Sequence, residues 1–140
     1  MEQGIILCYT GIIGAFMNNI KIVLPFPPSV DGLYGGGSGQ KRFPSKRYKA
    51  WLNIVPELEP FGIKGPVKIK YTYAWPDARR RDGQNYMKAT TDYLVKQGVL
   101  EDDNWKVVGG ETWDHVGIDR KNPRVEIEII QEQPSSDNHS

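Results

Sequence analysis

Residues 66–75 read PVKIKYTYAW, and residues 84–98 read QNYMKATTDYLVKQG. In the first segment Val67, Ile69, Tyr71 and Tyr73 alternate with Lys68, Lys70 and Thr72. A strand sends successive side chains to opposite faces, so this predicts a half-buried strand. The second segment is periodic as a helix and is stopped at Gly98, a residue that readily takes the left-handed backbone of a helix end. Outward from this pair, Ile20, Ile22 and Leu24 predict a strand over 19–25, which Pro25, Pro27 and Pro28 end because proline gives no ladder donor. Ser45 predicts the cap of a helix running to about Val55, with Tyr48, Leu52 and Val55 at helical spacing and Pro56 and Pro60 beyond it. Residues 107–116 and 124–130 predict two more strands, the second alternating Val125, Ile127 and Ile129 with Glu126 and Glu128. The order β-α-β-α-β-β predicts an α/β fold of the α+β type: one domain with a mixed sheet of about four strands and helices packed on it.

Composition narrows the chemistry. With 140 residues, 39% hydrophobic and 25% charged, the chain has enough apolar material for one core, which excludes wholesale disorder. One cysteine, Cys8, excludes an internal disulfide framework and a cysteine-built zinc site, and two histidines are too few for a histidine-rich centre. A metal would have to be held by carboxylates, which points to a hard ion such as Mg²⁺. The net charge is only +1, but 15 basic and 9 acidic residues lie between 21 and 106, against 3 basic and 7 acidic from 107 onward. A basic centre in a near-neutral protein suits a polyanionic partner, although a solvated surface with chance clustering gives the same count.

Residues 1–17 read as an apolar extension, either a start-site addition or a strand packing on a neighbour. Residues 18–131 read as the domain and 132–140 as a disordered polar tail. The run IILCYTGIIGAF is short for a bilayer span and lacks a basic leader, so the expectation is a cytoplasmic protein with no membrane partner. The run Gly35-Gly36-Gly37-Ser38-Gly39-Gln40-Lys41 does not end in Gly-Lys-Ser/Thr and follows a proline break, so no nucleotide cofactor is expected. A flexible loop carrying cations fits better, since Lys41, Arg42, Lys46, Arg47 and Lys49 crowd this region.

The chemistry concentrates at the two ends of the second helix. PDARRRDGQN precedes it and VLEDDNWKV follows. Asp82 with the pair Asp102-Asp103 offers oxygen ligands for Mg²⁺, and Lys88 could reach a phosphate held by that ion. Arg79, Arg80 and Arg81 are suited to flanking backbone phosphates. Each feature also has a local reading. In it Asp82 caps the helix, Asp102-Asp103-Asn104 forms a polar turn, and Lys88 pairs with Asp92 four residues on.

The string RRDGQNYMKATTDYLVKQGVLEDDNWKVV, together with the opening LPFPPSVDGLY, resembles the RusA-type Holliday junction resolvases. The similarity covers about residues 20–130. It implies a small homodimeric endonuclease, dependent on Mg²⁺ or Mn²⁺, that acts on four-way junction DNA and is common in phages and prophages. Residue by residue it implies Asp82 and Asp103 as metal ligands and Lys88 as the lysine of the cleavage step. It further implies Asn85 as a supporting residue and Arg81 as a DNA contact; the charge pattern itself adds Arg79, Arg80, Lys41, Lys46 and Arg47 as phosphate contacts. Gln84 stands where the family pattern has a second aspartate, and Asp31 where it has an early asparagine. Glutamine keeps an oxygen but no charge. Three alternatives stay open: Gln84 ligates through its amide, Asp102 takes a larger share, or the site is weak. The leading function is therefore a structure-selective endonuclease, and the alternative is a branched-DNA-binding protein with an impaired site.

Overall fold

The computed structural model describes residues 8–11, 18–35 and 43–131. The glycine loop 36–42 with Lys41, residues 1–7 and 12–17, and the tail 132–140 lie outside the described residues. The main sheet has five strands: β1 (Cys8–Gly11), β2 (Asn18–Pro25), β5 (Val67–Trp75), β6 (Val108–Ile118) and β7 (Arg124–Gln131), in the spatial order β1-β2-β7-β5-β6. Two short strands, β3 (Tyr34–Gly35) and β4 (Phe43–Pro44), pair separately. The four expected strands are therefore present in a mixed sheet. Residues 8–11 add a fifth on this chain's own β2, antiparallel, with Cys8 opposite Lys21.

Helix α1 (Lys46–Ile54) starts as expected, because the Ser45 side chain accepts the Tyr48 N–H. It is anchored by Trp51, whose indole N–H donates to the Pro25 carbonyl at 2.9 Å. The second helix differs from the sequence reading at its start. Residues Gly83–Tyr86 form a 3-10 turn, and α2 proper is Met87–Lys96. Asp82 is the reason: its carboxylate accepts the Gln84 N–H at 3.1 Å and so caps the tighter turn. Gly98, at φ 82°, ends α2 as expected.

The centre of the sheet is antiparallel: β7 pairs with β2 on one side and β5 on the other, setting Ile127 opposite both Ile22 and Tyr71. β5 and β6 are parallel. A parallel pair needs a crossover, and here the crossover is the loop after Trp75, the 3-10 turn, α2 and the segment 97–107. The core fills the space under that crossover. Val67, Tyr71 and Tyr73 of β5, Ala89 and Leu94 of α2, and Val125 and Ile129 of β7 are all buried. Gly65 closes the entry to β5. Its φ is 81°, and a Cβ there would stand 2.5 Å from the Val107 carbonyl oxygen. Gly65→Ala is therefore expected to lower stability by about 1–3 kcal/mol, through left-handed strain and backbone collision together. Urea unfolding should show a lower midpoint with an unchanged slope.

Candidate active site

An open cleft of about 890 Å³ runs between α2 and the edge strand β6. Gln84 enters it from the 3-10 turn, and Lys88 and Thr91 from one face of α2, three residues apart. Glu111 and Trp113 enter from β6, and Asp103 and Trp105 from the segment before it. Of the residues singled out in the sequence, the fold thus gathers Gln84, Lys88 and Asp103. Asp82 and Asp102 do not line the cleft. Asp82 Oδ1 accepts the Gln84 N–H in its cap. Asp102 accepts the Asp103 N–H at 2.7 Å and the Asn104 side-chain amide at 2.9 Å, which is the polar-turn arrangement. Of the expected ligands Asp82, Gln84, Asp102 and Asp103, the cleft wall holds Gln84 and Asp103. Asn85 is exposed, with its backbone N–H donating to the Asp82 carbonyl.

Lys88 donates to Asp92 at 3.3 Å, the pairing that the local reading offered. The Lys88 side chain is 52% exposed, so this is a surface pair of little worth that a phosphate can displace. Two residues that sequence reasoning passed over meet the cleft more firmly. Tyr71 Oη donates to Glu111 Oε2 at 2.8 Å and also bonds Thr91 Oγ1. Thr91 Oγ1 stands 2.9 Å from the same Oε2 and 3.0 Å from the Met87 carbonyl, and with one proton it donates to one acceptor at a time. Burial, then the nearby Glu111 charge, push the Tyr71 hydroxyl well above its ordinary range, so it remains a donor. Thr91 was detectable from its place three residues after Lys88 on one helical face. Glu111 gave no sequence signal beyond an acidic residue in a strand.

The first half of the motif is set by aromatic packing. Trp75 stacks on Tyr73 at 5.0 Å, and both contact Trp113. Tyr73 Oη donates to the Gly83 carbonyl at 2.8 Å. The Trp113 ring covers Gly83 so closely that a Cβ would sit 2.3 Å from it. Gly83 is thus the motif residue that lets the turn lie against β6.

A second groove, of about 490 Å³, brings Arg47 of α1 to Arg79 and Arg81, with Phe26, Pro27 and Tyr86 in its wall. Arg80 and Lys46 are exposed outside it. Arg81, the expected DNA contact, lines this groove and is also partnered within the chain. Its side chain is 7% exposed and grips Asp77 at 2.7 and 3.3 Å, with the guanidinium 5.6 Å over the Phe26 ring. It shapes the loop as well as lining the groove.

A hard divalent ion is usually held by one or two carboxylates plus waters. The cleft's donors are all oxygens, namely the carboxylates of Asp92, Asp103 and Glu111 and the amide of Gln84, so they fit such an ion in type. Among the described residues no three His, Cys, Asp or Glu side chains are gathered closely enough to hold a metal by themselves.

Residues 38–130 match the family model described as Endodeoxyribonuclease RusA. The chain belongs to the RusA family. The crossover junction endodeoxyribonuclease of Enterobacteria phage 82 is 34% identical over 91 residues, which is 62% of this chain and 76% of the phage protein. The RusA protein of Escherichia coli K12 gives the same figures, and that of Enterobacteria phage HK97 is 31% identical over the same span. The RusA match takes in both ends of α2 and all of β6 but begins after the LPFPPSVDGLY opening. Among the described residues no helix is long and apolar enough to cross a membrane.

The hold on Arg81 can be tested by pH. The Arg81 guanidinium, helped by the Arg79 N–H, holds the Asp77 carboxyl down at about 2. Because the folded value is depressed, this contribution to stability is fully present above the ordinary value of 3.8 and is lost as pH falls through about 2. Carboxyl NMR of the native protein should show an Asp77 midpoint near 2, returning toward 3.8 in Arg81→Gln. A midpoint near 3.8 in the wild type would mean that Arg81 is free for DNA.

Proposed function

We propose that this RusA-family chain is a structure-selective endodeoxyribonuclease that hydrolyses phosphodiesters in four-way DNA junctions. In this reading it works as a two-fold homodimer with Mg²⁺, or Mn²⁺ in its place. The observation that carries this is the convergence of Asp103, Lys88 and Gln84, from both sides of α2, on one oxygen-lined cleft. Asp103 and the Gln84 amide would hold the ion. Such an ion activates water and screens charge developing on the phosphodiester. Asp82 fixes the turn that presents Gln84, and Asn85 supports that turn. Lys88 leaves Asp92 and donates to a phosphate oxygen as charge builds there. Two cuts across a near-symmetric junction call for two sites in matching orientation, which a two-fold dimer supplies.

The groove of Arg47 and Arg79 serves as the phosphate track, with Arg80, Lys46 and Lys41 flanking it. It reads backbone rather than bases. A role in recombination or repair, a phage or prophage origin and a cytoplasmic location fit this substrate. The neutral Gln84 favours one other reading, a junction-binding protein with an impaired site.

The deciding experiment incubates the protein with a labelled four-way junction and Mg²⁺, beside a linear duplex. The expected result is paired cuts in the junction alone. Asp103→Asn should abolish them while junction binding persists, and Lys88→Ala should slow single-turnover cleavage by about tenfold or more with little loss of affinity. Binding without cleavage in Mg²⁺ and in Mn²⁺ would establish the binding protein instead. In a separate measurement, neutralising Arg47 and Arg79 together should flatten the salt dependence of junction binding, because fewer counterions are released. An unchanged slope would move the track elsewhere.

A further inference from the structure

β6 is the outermost strand of the sheet, and among the described residues nothing pairs with its free edge. It runs for eleven residues, Val108–Ile118, where a strand usually has about five or six. Glu111 to Val116 are all exposed, so this strand meets solvent on both faces as well as along one edge. Trp113, Val116 and Ile118 are large apolar side chains among them or beside them. An open edge offers a row of unmade hydrogen bonds to another strand, and proteins usually blunt it with proline, lysine, shortness or a covering element. β6 contains no proline, lysine or arginine. Its pairing with β5 is regular from Gly110 to His115, so no bulge turns the middle of the edge away.

The sequence of β6 fits a second copy of itself. Two identical strands that pair antiparallel are related by a two-fold axis perpendicular to the sheet, and at that axis one residue lies opposite its own copy. Full-length pairing puts the axis at Trp113, the middle residue of Val108–Ile118. The same register sets Glu111 opposite the partner's His115, Thr112 opposite the partner's Asp114 and Val108 opposite the partner's Ile118. An imidazole has an N–H to give a carboxylate whether it is neutral or protonated. Moving the axis to Asp114 would put two aspartates face to face, and like charges directly opposite destabilise a ladder. Glu111 is already steadied within its own chain, since Oε2 accepts from Tyr71 at 2.8 Å, while no hydrogen bond to Oε1 forms among the described residues.

We propose that the free edge of β6 is the homodimer interface, two chains joining antiparallel about Trp113 into one continuous sheet. Because the axis stands perpendicular to the sheet, both α2 helices lie on the same face. The partner's sheet then continues past the side of the cleft that one chain leaves open. This rests on the endonuclease reading for its use, which is to set two clefts on one face related by the two-fold, but not for its test.

The test measures self-association of the full chain without DNA by sedimentation equilibrium, and the register by disulfide trapping in a Cys8→Ser background. The wild type should be a dimer. His115→Glu sets acid against acid twice in the interface and should raise the dimer dissociation constant by about tenfold or more, with the far-UV circular dichroism unchanged. On oxidation, a mixture of Thr112→Cys chains with Asp114→Cys chains should crosslink, and each variant alone should crosslink far less.

A monomeric wild type would overturn the proposal, as would a dimer indifferent to His115→Glu. Crosslinking strongest in either cysteine variant alone would move the axis off Trp113 and overturn it as well. If junctions are cut by a protein whose dimer ignores these changes, the inference falls and the endonuclease stands. If the dimer forms as described but no junction is cut in Mg²⁺ or Mn²⁺, the interface stands and the endonuclease falls.

Discussion

The parallel pairing of β5 with β6 is the constraint from which the rest follows. Two neighbouring parallel strands cannot be joined by a hairpin, so the chain must leave the sheet, cross one face and return. The 32 residues that make this journey, from Pro76 to Val107, carry nearly all the polar chemistry of the family motif. β6 then takes the outer edge, and the face of α2 above it has a strand on one side only. The cleft is that missing side. The crossover that closes the core therefore also opens the site.

Polar groups within this crossover divide into those that build turns and those that face the cleft. Asp82 and Asp102 each accept a nearby backbone N–H, and Arg81 is clamped by Asp77. These bonds are short-range and satisfy the donors that a loop would otherwise leave open. Asp103, Lys88 and Gln84 are left to the cleft because their neighbours have taken the structural duties. A pair of adjacent aspartates is thus divided into one turn-former and one cleft residue.

The aromatic residues of the sheet extend this division. Tyr71 and Tyr73 point the same way from β5, and each sends its hydroxyl to the crossover: Tyr71 to Thr91 and Glu111, Tyr73 to the Gly83 carbonyl. Their rings fill the core, and their polar ends fix the two halves of the site. Trp113 presses on Gly83 from β6, so the turn, the helix and the edge strand are held to one another by contacts rather than by the chain connection alone. Single substitutions at Tyr71 or Gly83 would act on site geometry as much as on stability.

The sequence by itself determined the strands, read over 19–25, 66–75 and 124–130 and found within a residue of those bounds, the Ser45 cap and the Gly98 stop, because alternation and capping are local properties. It also determined the family, since the linear order of residues 38–130, Asp82 to Asp103 among them, matches the RusA family model. Tertiary structure alone decided which of those residues meet. Local pattern alone leaves Asp102 and Asp103 alike; the resemblance singles out Asp103, and the turn between α2 and β6 gives Asp102 its structural part. Arg47 lies more than thirty positions from Arg79, yet the docking of α1 on the Pro25–Pro28 corner brings them to one groove. Glu111 carries no motif at all. It becomes part of the site because the β5–β6 register sets it opposite Ile69, beside Tyr71 and under Thr91, and a register is a relation between distant segments that no local spacing records.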